Sequence, residues 1–302
     1  MKLLISIIGP TGIGKTKITI KLAKYFKSKI ISCDSRQFYK ELKIGTSCPS
    51  NKDLKKIKHY FIGHISIFKN YNVYKFEQEA LKKIKKLFKF YKIIFLVGGS
   101  FLYEKSIIEG INYIPNIKNK KKLFLFRKKM LKKSNNFLIK KIKKEDYIFY
   151  KEYLNNKKDK IKIIRALEVK YFNNIKISTY YKKKKKKRPF KNFLRICLID
   201  KRKNIYKNIN NKVDNMIKNG LFNEVKKLYK YRKLKSLNTI GYKEFYKNYK
   251  NKNINYIINL IKKNTRNYAK KQLIWLKKLN NIIYFYPNYK KIKKYIKNYI
   301  NK

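Results

Sequence analysis

"LLISIIGPTGIGKT", Leu3 to Thr16, decides how the chain is read. Leu3 to Ile8 is an almost unbroken aliphatic run, the mark of a strand buried on both faces in a parallel sheet. Gly9, Gly14, Lys15 and Thr16 then satisfy GxxxxGK[ST], and a helix is expected from Lys15 to about Phe26. Strand, glycine loop and helix in that order make a phosphate cradle. The loop of Gly9, Pro10, Thr11, Gly12, Ile13 and Gly14 wraps the anion with the backbone N–H groups of its non-proline residues, and the helix N-terminus adds partial positive charge. Lys15 reaches terminal phosphate oxygens, and Thr16 offers its hydroxyl to Mg²⁺. The loop alone does not say whether the ligand is a nucleotide or another phosphate.

Reading outward, the first third alternates short apolar runs with amphipathic stretches, the pattern of a parallel α/β sheet. Ile30 to Cys33 reads as a second strand and Tyr74 to Phe90 as a helix with Phe76, Ala80, Leu81, Ile84, Leu87 and Phe88 on one face. "KIIFLVGGS", from Lys92, reads as a buried strand ending at Gly98 and Gly99. A magnesium-holding acid is expected at the end of such a strand in a nucleotide hydrolase, and none is there, which argues against ATP hydrolysis. An acid does follow the second strand, in "ISCDSRQFY", taken to lie beside the loop. Asp34 has two readings: a general base at the ligand-binding edge of the sheet, or an N-cap for the turn "DSRQ".

From Tyr113 to Phe190 strand signals fade, and Leu, Ile, Phe and Tyr recur at helical spacing in Lys-rich text closing with "YYKKKKKKRPF". That charge run reads first as a solvated loop. "LRICLID", from Leu194, restores a core strand. A long helix, Ile254 to Leu279, and a last strand, "IIYFYP", complete the chain. The expected organisation is an α/β core over 1–112, a helical insertion over 113–190, and core completion with further helices over 191–302.

Composition bounds the rest. The 302 residues suffice for a sizeable core, and 44% hydrophobic residues argue for a folded chain. Lys plus Arg number 82 against 16 acids, a formal charge of +66 that attracts polyanions. The excess is nearly all Lys, accompanied by Asn, Ile, Tyr and Phe, as A+T-rich codons favour, so charge alone does not identify nucleic acid as the partner. Cys33, Cys48 and Cys197 form no CxxC pair, and His59 and His64 do not share a helical face, so neither a disulfide framework nor a zinc site is supported. The apolar start is too short for a membrane span. The expected protein is cytoplasmic and monomeric, with no membrane association.

Several stretches together resemble one family, the tRNA dimethylallyltransferases, also called tRNA isopentenyltransferases. They are "GPTGIGKT", "DSRQFY" from Asp34, "IGTSCPS" from Ile44, "HYFI" from His59, "YNVYKFEQEA" from Tyr71, "LVGGSFLY" from Leu96, "RALEV" from Arg165, "IGYKE" from Ile240 and "AKKQLIWL" from Ala269. The ordered set is specific where the loop alone is not. The resemblance implies a P-loop kinase-like parallel sheet flanked by helices with a helical insertion domain. The implied activity is transfer of a dimethylallyl group from dimethylallyl diphosphate to N6 of the adenosine 3′ of the anticodon, with Mg²⁺ as cofactor and the tRNA anticodon stem-loop as partner.

Carried over on matching positions, Asp34 is the general base, Thr11 a second catalytic residue, and the loop with Lys212 holds the diphosphate. Asp34, Ser35, Arg36, Gln37, Ser100, Arg165, Gly241, Tyr242, Lys243, Lys270, Lys271, Gln272 and Trp275 match regions that touch tRNA. Plain structural readings stand beside these: Trp275 as a core anchor, Arg165 within ordinary helix packing, Tyr242 as packing, Ser100 as an N-cap. The chain departs from the family pattern with Cys48 for Lys, Gly63 for Asp, Lys212 and Lys271 for Arg, and Ile274 for Thr. Two other functions fit part of the pattern: a P-loop kinase of small metabolites, and a non-catalytic RNA-binding protein.

Overall fold

The computed structural model describes every residue except 1, 115, 116, 118, 155–158, 183–186, 249–252 and 302. Part of the lysine run, 183–186, therefore lies outside the described residues. In chain order the strands are β1 (Leu3–Ile8), β2 (Lys29–Ser32), β3 (His59–Tyr60), β4 (Ile93–Val97), β5 (Asn192–Leu198) and β6 (Ile283–Phe285). The helices are α1 (Lys15–Tyr25), α2 (Asn51–Lys56), α3 (Val73–Leu87), α4 (Phe101–Ile108), α5 (Lys120–Lys132), α6 (Asn135–Glu145), α7 (Lys160–Asn173), α8 (Ile177–Lys182), α9 (Arg202–Lys218), α10 (Leu221–Leu228), α11 (Lys243–Lys247), α12 (Ile254–Leu276) and α13 (Tyr289–Ile300).

The sheet runs β3-β2-β4-β1-β5-β6, parallel throughout. All six residues of β1 are buried, and their alternation feeds two cores. Leu3, Ile5 and Ile7 pack with α1, α9 and α13, whereas Leu4 packs on the opposite face with α3 and α4. Burying each such side chain contributes about 1.5–3 kcal/mol. Because every strand points the same way, the loops after β1, β2 and β4 open on one edge, where ligands bind in open α/β sheets.

Two differences from the sequence reading matter. The Asp34 strand does not lie beside the loop strand: β4 pairs with β1 on one side and with β2 on the other, separating them. The two-residue β3, unforeseen because so short a run carries no periodicity, pairs Ile30 with His59. His59 Nδ1 lies 2.8 Å from Ile57 O, tying the ring to its own backbone.

The chain divides into two compact units, one of 1–109 with 188–302 and the other of Gly110–Lys187. In the second, Leu138, Ile142, Phe149, Ile163, Leu167 and Ile177 share one apolar cluster. Asp146, buried there, accepts the Phe149 amide at 3.1 Å and the Ser178 amide at 2.9 Å. In the first unit the base of α4 is fixed by Arg195 of β5, itself buried. Its guanidinium donates to Glu104 at 2.9 and 3.3 Å, to Glu109 at 3.2 Å and to Asn280 O at 2.8 Å. Burial pushes the Glu104 carboxyl above its ordinary value, and the guanidinium opposes that rise.

Removing one member of such a pair strands a charge in the interior, which costs about 3–5 kcal/mol. Glu104→Ala is expected to lower the unfolding free energy by that amount in urea titration; a change within experimental error would show that the pair is not holding α4 to β5.

Candidate functional site

The strand ends open on a cleft of about 1420 Å³ that lies wholly in the first unit. Its floor is the loop between β1 and α1. Ile13 is buried in the core and pins the loop from below. Gly14 precedes α1 at φ 90°, a left-handed conformation that strains any residue with a Cβ. Thr16, in the first turn of α1, lines the cleft.

Lys15 turns its ammonium into the loop, donating to Gly9 O at 2.9 Å and Pro10 O at 2.8 Å. Lys212, from α9, reaches the same place, its Nζ 3.5 Å from the Thr11 hydroxyl. Burial and then the neighbouring Lys212 lower Lys15 to about 8, with Asp34 opposing the fall. Burial lowers Lys212 as well, again opposed by Asp34. Two cations in want of an anion thus share a cavity with one carboxylate.

How Asp34 sees the loop across an intervening strand is explained by what β4 lacks. A Cβ at Gly98 would stand 2.5 Å from Cys33 Sγ and 2.8 Å from the Asp34 nitrogen. One at Gly99 would stand 2.8 Å from Gln272 Nε2 and 3.8 Å from Asp34 Oδ2. The glycine pair that the sequence reading took only as a missing acid is the opening through which the next strand's acid faces the cavity.

The two oxygens of Asp34 take different places. Oδ1 accepts the Arg36 amide at 3.1 Å, capping the turn; Oδ2 is the oxygen on the Gly99 side. Ser35 donates its amide to Ser100 Oγ at 3.0 Å, with the two hydroxyls also 3.0 Å apart. Ser100 begins α4 but makes no side-chain cap there, so the N-cap reading is replaced by a brace for the Asp34 turn. Arg36 donates to Ser236 O at 3.4 Å and Gln37 to Ser47 O at 3.1 Å.

The C-terminal candidates divide. Gln272 of α12 is buried, accepts the Thr11 amide at 2.9 Å through Oε1 and donates to Gly99 O at 2.8 Å through Nε2. It bridges the loop to the glycine gap. Tyr242 is fully buried, and its hydroxyl donates to Glu224 at 2.6 Å; its ring is core and offers no face to an RNA base, which corrects that expectation. Gly241, at φ 95°, donates its amide to Glu244 at 2.8 Å, and Lys243 lines the cleft. Trp275 stacks on Phe101, centroids 5.3 Å apart, as a core anchor. Lys270 and Lys271 are exposed. Arg165 belongs to the second unit, where it pairs with Glu168 at 3.3 Å.

Sequence reasoning passed over Glu224, although α10 buries Leu221, Val225 and Leu228, and a carboxylate at the intervening position of that face was a visible signal. Among the described residues no three His, Cys, Asp or Glu cluster as a metal cage. The Thr16 hydroxyl together with diphosphate oxygens is an all-oxygen set of the kind Mg²⁺ takes.

Residues 37–279 match the family model described as IPP transferase. A tRNA dimethylallyltransferase 2 from Azobacteroides pseudotrichonymphae genomovar. CFP2 is 41% identical over 95% of this chain and 93% of its own length. A tRNA dimethylallyltransferase from Christiangramia forsetii is 41% identical over 99% of this chain and 98% of its own. The crystal structure of a full-length tRNA isopentenylpyrophosphate transferase from Bacillus halodurans superposes with TM-score 0.71 at 29% identity, covering 100% of this chain and 96% of that one. A eukaryotic dimethylallyltransferase captured acting on tRNA gives 0.79 at 25% identity, covering 94% and 74%.

An anion entering the cleft beside Lys15 should favour its charged form. Since the free side chain loses its proton near pH 8, binding should be strongest below that pH and weaken by about tenfold per unit above it. Calorimetry near pH 8 in buffers of different ionisation enthalpy should register proton uptake; an affinity that stays level from pH 7 to about pH 10 would remove Lys15 from the anion site.

Proposed function

The chain belongs to the IPP transferase family, and from that premise we propose that it transfers the dimethylallyl group of dimethylallyl diphosphate to N6 of the adenosine immediately 3′ of the anticodon in tRNA. The observation that carries this reading is that Asp34 and the two loop-facing lysines open on the same cavity across Gly98 and Gly99.

Each part of the reaction has a residue suited to it. The allylic C–O bond breaks with its electron pair leaving on the diphosphate, so the departing anion needs positive charge aimed at it. Lys15, Lys212 and the loop amides other than that of Thr11, which Gln272 takes up, supply that charge. The positive charge left on the allyl group is met by the N6 lone pair, forming the new C–N bond. That nitrogen is a poor nucleophile while its lone pair is shared with the ring, and Asp34 Oδ2 takes the N6 proton as the bond forms. The Thr16 hydroxyl lines the cleft where, with diphosphate oxygens, it would hold Mg²⁺, and the bound ion would supply further positive charge to the leaving group.

Adenine must leave the anticodon stack to reach this place. The cleft exceeds the roughly 300–1,000 Å³ usual for one small ligand, leaving room for a prenyl diphosphate and an extruded base. Ser35, Arg36, Gln37, Gly241, Lys243, Lys270 and Lys271 are the proposed tRNA contacts of the first unit. Arg165 carries that role on the insertion, taken as 113–190. No helix among the described residues is long and apolar enough to cross a membrane, and the proposed protein works as a cytoplasmic monomer.

Asp34→Asn should cut prenyl transfer by about 10²–10⁴-fold while tRNA affinity stays within a few-fold of the unaltered chain, read by nucleoside mass spectrometry and filter binding. Survival of transfer in that variant would leave Asp34 as a turn cap alone. ATP turnover without prenylated adenosine would favour the kinase reading.

Binding of tRNA should also weaken linearly in log affinity against log salt, with a slope set by the phosphates contacted. A level response between about 50 and about 200 mM salt would argue against tRNA as the acceptor.

A further inference from the structure

Glu224 stands outside the phosphate loop and the Asp34 turn, yet more donors converge on it than on any other described carboxylate near the cleft. Oε1 accepts the Ile44 and Gly45 amides, both at 3.1 Å, and Oε2 accepts the Lys43 and Ile44 amides at 3.1 and 3.0 Å. The Tyr242 hydroxyl adds a 2.6 Å bond to Oε1. Three successive amides turned toward one point form a concavity for an anion, and here the anion is the protein's own side chain.

The segment so gripped is a wall of the cleft. Lys43 to Cys48 line it, and the turn closes on itself through Ser47 N to Ile44 O at 2.9 Å and Cys48 N to Lys43 O at 3.0 Å. Gly45 lies against the Tyr242 ring so closely that a Cβ would stand 2.4 Å from it, so ring and carboxylate fix the segment from two directions. Its far end touches the catalytic turn: Gln37 Nε2 donates to Ser47 O at 3.1 Å and to Thr46 O at 3.4 Å. The Gln37 amide donates to Asp34 O at 3.1 Å. A continuous path of hydrogen bonds thus runs from α10 through 43–48 to the backbone that aims Asp34.

We infer that Glu224 is a positioning residue for the transfer reaction, holding the 43–48 wall so that Gln37 and Asp34 keep their places relative to the phosphate loop. The inference rests on the proposed reaction for its kinetic consequence and on geometry alone for its structural one. Glutamine at 224 keeps the size but replaces one acceptor oxygen with an NH₂ that faces the amides donor to donor. Because the phosphate loop sits on β1 and is braced by Gln272, diphosphate binding stays as it was.

The test uses the full chain, with Glu224→Gln and Tyr242→Phe compared to the unaltered protein. Glu224→Gln should lower kcat by between about tenfold and about a hundredfold with KM for dimethylallyl diphosphate held within about twofold. Tyr242→Phe, which leaves all three amides paired, should show a smaller loss of the same kind. Hydrogen exchange at Arg36 and Gln37, which donate to Asp34, should quicken by about tenfold in Glu224→Gln. Should Glu224→Gln fail to fold, Glu224→Asp, which shortens the reach by one methylene, is read in its place against the same expectations. An unchanged kcat, a rise confined to KM for the diphosphate, or exchange that quickens only at Lys43 to Gly45 would overturn the inference. If the unaltered chain transfers nothing, the reaction itself is wrong, and exchange at Arg36 and Gln37 still decides whether Glu224 holds the turn.

Discussion

At the C-terminal ends of β2 and β4 the backbones approach so closely that position 98 has no room for a single carbon beyond Cα. Everything at the cleft follows from that approach. Strand β4 pairs between β1 and β2, so a side chain at position 98 would press on Cys33 and the Asp34 backbone, and one at position 99 would meet Gln272 and approach Asp34 Oδ2. With hydrogen at both positions, a carboxylate two strands away acts across the gap, and Gln272 enters from the other side to tie the Thr11 amide to Gly99. The electrostatic traffic among Asp34, Lys15 and Lys212 depends on this absence of bulk more than on any one attractive contact.

Charge has a second logic in a chain with 16 acids and 82 bases. The described carboxylates that the fold buries are taken up by internal donors: Glu104 by Arg195, Glu168 by Arg127 and Arg165, Glu77 by Arg188, Glu244 by the Gly241 amide and Asn264, and Asp146 by two amides. Buried charge is tolerated only where it is paired and hydrogen-bonded. Asp34 differs, since one of its oxygens is committed to a turn and the other faces a cavity. That division suits the proposed role of proton acceptor, since the turn keeps the group aimed.

How much could be read beforehand follows from the range of the signals. Strands β1 and β4 and helix α3 announce themselves through runs and periodicity, because burial on both faces or one face imprints directly on residue order. The loop from Gly9 to Thr16 and the candidacy of Asp34 are equally local. What stayed hidden is non-local: that β4 inserts between β1 and β2, that Ser100 braces Ser35 rather than capping α4, that Gln272 serves the loop, and which of its two readings Tyr242 takes. Each depends on which distant segment arrives alongside, and no window of sequence holds both partners. His59 and Tyr60 lie at the other limit, since two residues cannot display a period.

Arg195 also sits where the chain departs from the core and where it comes back. Glu104 and Glu109 belong to the last segment before the excursion that begins at Gly110, and β5, which carries Arg195, is the first strand after it. One guanidinium therefore staples both shores of the interruption, and the sheet closes without asking what lies between. Lengthening such an excursion adds only a slowly growing entropic cost of ring closure. The core is thus free to host appendages of different size at this single seam, while its strand order and its reactive edge stay as they are.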